Sequence, residues 1–246
     1  MRILITGADG QLGRSLAKTL GGRHEICGFG RAALDVTDAE RCLDVMRHIR
    51  PDAVVHAAAF TAVDQAERER DAAYAVNAIG AANVAAAAQE FGAKMCYIST
   101  DYVFDGVKNE PYIEFDRPHP LNVYGHSKLA GEQLVQTLCQ RYFIVRTSWL
   151  YGVDGRNFAK TMIALAKKGE PIKVVDDQFG SPTFAYDLSR FLGELIETSR
   201  FGIYHATNSG HCSWFDFAAA IFEESRLNVS LEPCTTDQFP RPARRP

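Results

Sequence analysis

The sequence predicts an α/β fold with a doubly wound parallel sheet. Three observations lead to this fold class: short β-branched runs alternate with helical stretches, a glycine-rich turn follows the first run, and 46% of the 246 residues are hydrophobic. A chain of this length and composition buries one sizeable core, or such a core with a small lobe. The alternation favours parallel strands because each strand then returns through a helix on one face of the sheet.

The first half of the chain supplies most of the predicted sheet. Strands are predicted at 2–6, 25–29, 53–57, 94–99 and 142–146, and helices at 38–49, 72–91 and 123–139. Beyond residue 150 the order changes, with helices predicted at 158–168, 186–198 and 213–225 and short strands at 172–175 and 203–205. We therefore predict a Rossmann-like core over residues 1–150 and a smaller mixed α/β lobe over residues 151–246.

Charge, hydropathy and cysteine spacing exclude several classes of function. The 27 basic and 30 acidic residues leave a net charge of −3 without long runs of one sign, which argues against nucleic-acid or membrane partners. No stretch approaches the roughly 18 apolar residues of a membrane span, and the N-terminus lacks the pattern of a signal peptide, so we expect a cytoplasmic protein. The six cysteines lack paired spacing and are expected to be buried thiols.

Metal chemistry has weak support in the sequence. None of the seven histidines stands at H-x-x-H, H-x-x-x-H or H-E-x-x-H spacing. The neighbouring carboxylates of Asp176 and Asp177 either hold Mg²⁺ or face water, and we favour water. We therefore predict no metal site, with Mg²⁺ left as an unsupported option.

A glycine-rich loop directly after the first strand predicts a dinucleotide site. Gly7, Gly10 and Gly13 stand at G-x-x-G-x-x-G spacing, and a helix is expected to begin near Gln11 and Leu12. Glycines allow a tight turn and the close approach of backbone N–H groups to a pyrophosphate, which also meets the positive end of the helix dipole. The position of this loop between a strand and a helix makes the signal more specific than the glycine spacing alone.

The choice between NADH and NADPH stays open in the sequence. No carboxylate follows the second strand, where an acid commonly binds the ribose of NAD, and Arg31 is present instead. Arg31 either pairs with the 2′-phosphate of NADPH or is a solvated loop residue. After the third strand, small side chains predict a loop along which a cofactor passes close to the backbone: Ala57, Ala58, Ala59 and Thr61.

A catalytic group is predicted on the helix over 123–139. Tyr124 and Lys128 are four residues apart, so the phenol and the ammonium lie one turn apart on the same helix face. A tyrosine has an ordinary pKa near 10, and a neighbouring lysine is expected to lower that pKa. Either Thr100 or Ser99, at the end of the fourth strand, is expected to bind the substrate oxygen that Tyr124 protonates.

The motifs together resemble the extended short-chain dehydrogenases, and within them the dTDP-4-dehydrorhamnose reductase family, the RmlD-like branch. The resemblance covers nearly the whole chain, and the joint order of its segments is more specific than any one of them. Besides the glycine loop, the segments are 61–67 (TAVDQAE), 75–78 (AVNA), 99–106 (STDYVFDG), 120–128 (PLNVYGHSK), 146–152 (RTSWLYG) and 176–183 (DDQFGSPT).

This resemblance implies roles for particular residues. It implies that Thr100 is the catalytic hydroxyl, that Asp101 contacts the substrate, and that Trp149 forms an aromatic wall beside the sugar ring. It also implies that the stretch at Asp35 and Val36 flanks the adenine, while the neighbouring Thr37 or Asp38 caps a helix. Asn77 matches an asparagine that the family places near its active site.

The resemblance implies reduction of dTDP-4-dehydro-6-deoxy-L-mannose to dTDP-L-rhamnose with NADPH or NADH. Two alternatives stay open at this point. One is an NAD-dependent nucleotide-sugar epimerase or dehydratase, and the other is a non-catalytic regulatory subunit similar to the β-subunit of methionine adenosyltransferase. A homodimer is left open. The family pattern continues beyond the arginine-rich stretch 239–246, so we expect the lobe to be incomplete at its C-terminus, with these arginines either frayed or leading into a loop over the substrate diphosphate.

Overall fold

The computed structural model describes residues 1–246 and has a six-stranded parallel sheet at its centre. In chain order the first part contains β1 (Arg2–Thr6), α1 (Gln11–Leu20), β2 (Glu25–Phe29), α2 (Ala39–Ile49), β3 (Ala53–His56), α3 (Val63–Ala66), α4 (Arg70–Tyr74), a π-helical turn (Ala75–Ile79), α5 (Gly80–Glu90), β4 (Lys94–Thr100), a 3₁₀ turn (Asp101–Val103), α6 (Val123–Leu138) and β5 (Tyr142–Thr147).

The second part contains shorter strands between its helices. Its elements are β6 (Leu150–Tyr151), α7 (Phe158–Ala166), β7 (Ile172–Val175), β8 (Phe179–Gly180), β9 (Thr183–Phe184), α8 (Ala185–Glu197), β10 (Gly202–His205), β11 (Cys212–Ser213), α9 (Trp214–Glu224), β12 (Leu231–Cys234) and a 3₁₀ turn (Thr236–Gln238). None of the helices has the length and apolar run needed to cross a bilayer.

The central sheet has the strand order β10-β5-β4-β3-β1-β2, with every pair parallel. One face packs on α2 and α5 through residues such as Val45 and Val84, and the other packs on α1 and α8 through residues such as Leu16 and Leu192. These side chains are almost completely buried, and burial of each apolar side chain stabilises the fold by about 1.5–3 kcal/mol. The predicted fold class is confirmed.

The division of the chain at residue 150 does not coincide with the edge of the sheet. We predicted that the smaller lobe begins at residue 151, yet β10 pairs with β5 and α8 packs against α1. Residues 185–205 therefore lie with the core. The separate lobe has its own apolar cluster, in which Phe217 and Phe222 of α9 pack with Ile172 and Val174 of β7.

The predicted helix over 72–91 is interrupted by the π-helical turn at Ala75–Ile79. Such turns often mark functional positions because they redirect one residue. Here Asn77 is fully buried: its amide nitrogen donates to the Phe60 carbonyl oxygen and to Ser127 Oγ, and its side-chain oxygen accepts from the Phe60 amide. Asn77 thus joins the loop after β3 to the middle of α6.

Candidate active site

The carboxyl ends of the parallel strands meet along one edge of the sheet. Thr6 of β1 is level with Phe29 of β2 and His56 of β3, and Thr100 of β4 is level with Thr147 of β5. Open α/β sheets bind ligands at this edge, so the predicted site residues that follow these strands share one region of the molecule.

The glycine loop has the geometry that a pyrophosphate requires. Gly7 has a φ of 66°, and a Cβ atom there would lie 2.7 Å from the Ala58 nitrogen, so only glycine fits. A Cβ atom on Gly13 would lie 2.4 Å from the Gly7 oxygen. Gly10 precedes α1 without a side-chain cap, and the backbone amides of residues 11–13 donate to no protein acceptor. These residues therefore fit the diphosphate of a dinucleotide.

Gln11 and Leu12 contribute to this loop in different ways. The side-chain nitrogen Nε2 of Gln11 donates to the Leu150 carbonyl oxygen at 3.0 Å, and its side-chain oxygen Oε1 accepts from Asn157 Nδ2 at 2.8 Å. Leu12 is buried in the core beneath the loop. Only the backbone of these two residues is available to a cofactor, and the Gln11 side chain instead ties the glycine loop to the start of the lobe.

The loop after β3 borders the glycine loop, because a Cβ atom on Gly7 would lie 2.7 Å from the Ala58 nitrogen. The amide nitrogen of Ala58 donates to Thr6 Oγ1, while Ala57 and Ala59 are half-buried and Thr61 is exposed. Small side chains at 57–59 leave the backbone accessible beside the glycine loop.

The stretch after β2 is held by its own hydrogen bonds. The Asp35 carboxylate accepts from the Thr37 amide and hydroxyl, which lowers the pKa of Asp35. Asp38 caps α2 by accepting from the Arg41 amide. The Val36 side chain is only 4% exposed and packs in the core. Asp35 is exposed, so it is the residue of this pair that a cofactor can contact. Arg31 is exposed and has no ion-pair partner in the structure.

Tyr124 and Thr100 lie together at the sheet edge, at the start of α6 and the end of β4. Tyr124 is half-buried, and burial raises the pKa of its phenol, an effect that contact with the Thr100 hydroxyl partly offsets. The phenol is therefore protonated at neutral pH. Tyr102 meets the Tyr124 ring edge-on at a centroid distance of 5.5 Å and closes one side of the site.

The predicted effect of Lys128 on Tyr124 is not what the structure shows. Lys128 Nζ donates to the Ile98 carbonyl oxygen at 2.7 Å and stands 3.9 Å from the centre of the Tyr97 ring. Burial lowers the pKa of Lys128 to about 7, while the Glu132 carboxylate opposes this shift. The ammonium thus faces β4, and the neighbour that lowers the pKa of Tyr124 is Thr100.

The structure separates the two candidate hydroxyls of β4. Thr100 Oγ1 donates to Asp101 Oδ1 at 2.9 Å, and burial raises the pKa of Asp101 to about 6. Ser99 Oγ instead donates to Glu132 Oε1 at 2.5 Å, two turns of α6 beyond Tyr124. Thr100 is therefore the hydroxyl that shares a site with Tyr124 and Asp101.

Sequence reasoning missed a buried ion pair beside these residues. Arg146 donates to both oxygens of Glu132, from Nε at 2.9 Å and from a terminal nitrogen at 2.7 Å, and both side chains are at most 4% exposed. Glu132 lies one turn beyond Lys128 on α6. The spacing of Tyr124, Lys128 and Glu132 at four-residue intervals was the available signal, since it places all three on one helix face.

His56, at the end of β3, is completely buried next to this group. Its Nδ1 is 2.8 Å from Thr6 Oγ1, and its ring stacks on Tyr97 at 5.8 Å. Burial, assisted by the Lys128 charge, lowers the pKa of His56 to about 3. The folded protein therefore keeps this imidazole neutral at pH values where an unfolded chain protonates it.

We expect this histidine to make the fold sensitive to acid. Between pH 6.5 and about pH 3 the unfolded state binds a proton that the folded state does not, so stability falls as the pH falls. Replacement of His56 by Gln, which keeps an acceptor for Thr6, should reduce the loss of unfolding free energy between about pH 7 and pH 4 by roughly 2–3 kcal/mol. Urea unfolding at both pH values measures this, and parallel losses in the two proteins would contradict it.

Trp149 lies where β5 leads into the lobe, with a φ of 47°. Its indole stacks on Trp214 at a centroid distance of 3.5 Å and an angle of 11°. A Cβ atom on Gly180 would lie 2.5 Å from the Trp149 ring, so this glycine is needed for the indole to fit. The ring is half-buried and packs on the lobe cluster. Trp149 and Trp214 thus form a stacked pair of indoles in the lobe.

Residues 243–245 of the C-terminal stretch are held against the rest of the protein. Arg245 donates to Asp64 Oδ1 at 2.7 Å, and Asn122, which caps α6, donates to the Arg244 carbonyl oxygen at 2.7 Å. Ala243 is only 2% exposed. The tail therefore lies against α3 and the start of the helix that carries Tyr124.

The two carboxylates at 176 and 177 are both engaged within the lobe. Asp176 accepts from Ser213 Oγ at 2.6 Å, and Asp177 accepts from the amide and hydroxyl of Thr236. Asp176 therefore binds the residue that precedes α9, and Asp177 binds the first residue of the 3₁₀ turn at Thr236–Gln238. No cluster of three or more metal-binding side chains is present.

Comparison with known proteins places this site in a family. The model of the RmlD substrate binding domain matches residues 1–246. The chain belongs to the RmlD family. Two RmlD family members are the dTDP-4-dehydrorhamnose reductases of Aggregatibacter actinomycetemcomitans, 44% identical over 100% of this chain and 88% of the relative, and of Escherichia coli K12, 42% identical over 100% and 87%.

Solved structures agree with this placement in the RmlD family. The dTDP-4-dehydrorhamnose reductase of Bacillus anthracis, solved in complex with NADP, is 52% identical with a TM-score of 0.98, over 100% of this chain and 88% of that one. The UDP-glucose 4-epimerase of Thermus thermophilus is 22% identical with a TM-score of 0.84, and the match covers 99% of this chain and 88% of that one. This likeness shows the fold alone.

Proposed function

We propose that this chain is a reductase that converts the 4-keto group of dTDP-4-dehydro-6-deoxy-L-mannose to the alcohol of dTDP-L-rhamnose, with NADPH or NADH as reductant. The observation that carries this function is the contact of the half-buried Tyr124 with Thr100, at the sheet edge that also bears the glycine loop. Membership of the RmlD family supports it, since relatives at 42–44% identity are dTDP-4-dehydrorhamnose reductases. The chain is accordingly an oxidoreductase.

We assign the chemistry to three side chains. A bound reduced nicotinamide supplies the hydride. Tyr124 donates the proton to the sugar oxygen, because its phenol carries a proton at neutral pH. Thr100 binds the same oxygen after its hydroxyl turns from Asp101 to the substrate. Lys128 acts from beneath the site, where its ammonium donates to the Ile98 carbonyl oxygen and so positions the end of β4 that carries Thr100.

The cofactor is assigned to the loops that follow the first three strands. The backbones of Gly7, Gly10, Gln11, Leu12 and Gly13 would hold the diphosphate, and the alanine loop would hold the nicotinamide half. Arg31 and the Asp35–Val36 stretch lie toward the adenosine half. The remaining residues of this set are Ala57, Ala58, Ala59, Thr61, Tyr124 and Lys128.

The sugar nucleotide is assigned to the space between the sheet edge and the lobe. Asp101, half-buried and with its pKa raised to about 6 by burial, and Trp149 border this space from the two sides. An indole face packs well against the C–H face of a sugar. The cytoplasmic location and the homodimer stay predictions from the sequence.

Replacement of Trp149 by Ala separates binding from folding. We expect kcat/KM for the sugar nucleotide to fall by more than about tenfold, because the aromatic surface beside the sugar is lost. Replacement of Trp214 by Ala removes the stacking partner but not the surface, so it serves as the matched control with a smaller kinetic effect. Thermal unfolding and kinetics are measured on both variants. A collapsed melting temperature with normal kinetics in the folded fraction of the Trp149 variant would remove it from the site.

Cofactor stoichiometry tests the proposed function against its alternatives. A reductase consumes one NADPH or NADH for each 4-keto sugar, whereas an epimerase or dehydratase returns its NAD⁺ to the starting state in each cycle. A regulatory subunit consumes neither. We expect oxidation of the reduced cofactor to equal the sugar converted. Turnover of the sugar without net cofactor oxidation would overturn the proposal.

A further inference from the structure

The carboxylate that the sequence lacks after β2 is supplied by the glycine loop. The Ala8 amide donates to the Phe29 carbonyl oxygen at 3.0 Å, which fixes the loop to the end of β2. A Cβ atom on Gly28 would lie 3.0 Å from the Ala8 Cβ. A Cβ atom on Gly30 would lie 1.7 Å from Asp9 Oδ2 and 2.6 Å from Asp9 Cγ. The Asp9 carboxylate therefore fills the space that Gly30 leaves empty.

This carboxylate is free to bind a ligand. Asp9 is exposed, and its side chain has no hydrogen bond or ion pair with the protein. The nearby Arg14 donates to the Asp9 backbone oxygen at 2.9 Å and not to its carboxylate. In dinucleotide folds an acid at the end of this strand accepts hydrogen bonds from the ribose hydroxyls of the adenosine half. Asp9 reaches the same place from the neighbouring loop.

We propose that Asp9 determines cofactor preference by accepting a hydrogen bond from the adenosine ribose 2′-hydroxyl of NADH and by repelling the 2′-phosphate of NADPH. This inference rests on the proposed function, because it concerns the adenosine half of the same cofactor. An ionised carboxylate accepts but does not donate, so a ribose hydroxyl suits it and a phosphate does not.

Arg31 acts in the opposite direction. It follows Gly30 directly, is exposed, and attracts the phosphate that Asp9 repels. The Asp9 carboxylate is already packed against Gly30, so little side-chain entropy is lost when the cofactor binds. The long Arg31 side chain must be ordered on binding, and the lost entropy reduces its contribution. The chain thus accepts both cofactors, with the preference moved toward NADH by Asp9.

Direct binding measurements test this role without turnover. Dissociation constants of NADH and NADPH are measured by nicotinamide fluorescence in the absence of sugar. The Asp9→Asn variant should bind NADPH more tightly and NADH more weakly, so that the ratio of the two constants moves at least about tenfold toward NADPH. Asp237→Asn, which removes the same charge from an exposed site in the lobe, should leave the ratio unchanged.

A second variant tests the geometry. Gly30→Ala retains the Asp9 charge but places a methyl group where the carboxylate lies, so it should move the ratio in the same direction as Asp9→Asn. If both cofactors bind and Asp9→Asn leaves their ratio within about twofold of the wild type, the role of Asp9 is overturned while the proposed function stands. If the wild-type chain binds neither cofactor, the proposed function fails and this inference fails with it.

Discussion

Replacement of Tyr124 by Phe is expected to lower kcat by at least about 100-fold while the dissociation constant of the cofactor stays nearly unchanged. The variant keeps the ring and its edge-on packing with Tyr102 but loses the only phenol placed beside Thr100. Water would have to supply the proton, and the developing negative charge on the sugar oxygen would lack a positioned donor. Steady-state kinetics and cofactor binding on the same preparation measure both quantities.

Tyr102→Phe is the matched control for this experiment. Tyr102 is a neighbouring half-buried tyrosine whose hydroxyl makes no hydrogen bond with the protein, and its replacement should change kcat by less than about threefold. Normal turnover in Tyr124→Phe would remove Tyr124 from the mechanism. Equal losses in both variants would assign the effect to packing.

The second large effect is expected at the buried ion pair. Replacement of Glu132 by Ala leaves Arg146 as an uncompensated charge in the core, and such a loss typically costs about 3–5 kcal/mol of unfolding free energy. Urea unfolding with a parallel activity measurement determines this cost. The exposed pair of Lys18 and Asp154 provides the control, because Asp154→Ala should cost less than about 1 kcal/mol.

A double variant identifies the origin of that cost. If the uncompensated charge is responsible, Glu132→Met combined with Arg146→Met should recover much of the stability that Glu132→Ala loses, because both buried charges are then absent. A cost below about 1 kcal/mol for Glu132→Ala would contradict the description of this pair as fully desolvated.

The fold was predictable because its signals are local. Alternation of short β-branched runs with helices predicts a parallel sheet, and the strand at 172–175 was placed within the correct bounds. The position of β10 was not predictable, since membership of the central sheet depends on pairing with β5, more than fifty residues earlier in the chain. The π-helical turn within the predicted helix over 72–91 was also hidden, because helix propensity does not distinguish a π-helical turn from an α-helix.

The site was predictable to the extent that its residues stand in motifs. The glycine loop and the pair of Tyr124 and Lys128 follow from spacing. The direction of the Lys128 side chain does not, because it depends on a carbonyl group of β4 thirty residues away. Asp9 was overlooked for a similar reason: its role at the end of β2 arises only when the glycine loop folds over Gly30.

The most direct test of the reductase function follows the hydride itself. NADPH carrying deuterium on one or the other face of nicotinamide C4 is incubated with the enzyme and dTDP-4-dehydro-6-deoxy-L-mannose, and the product is analysed by mass spectrometry and NMR. We predict that one of the two labelled cofactors delivers a single deuterium to C4 of the sugar in dTDP-L-rhamnose. A reduced product without deuterium at C4 from either cofactor, or no reduced product at all, would contradict the function proposed here.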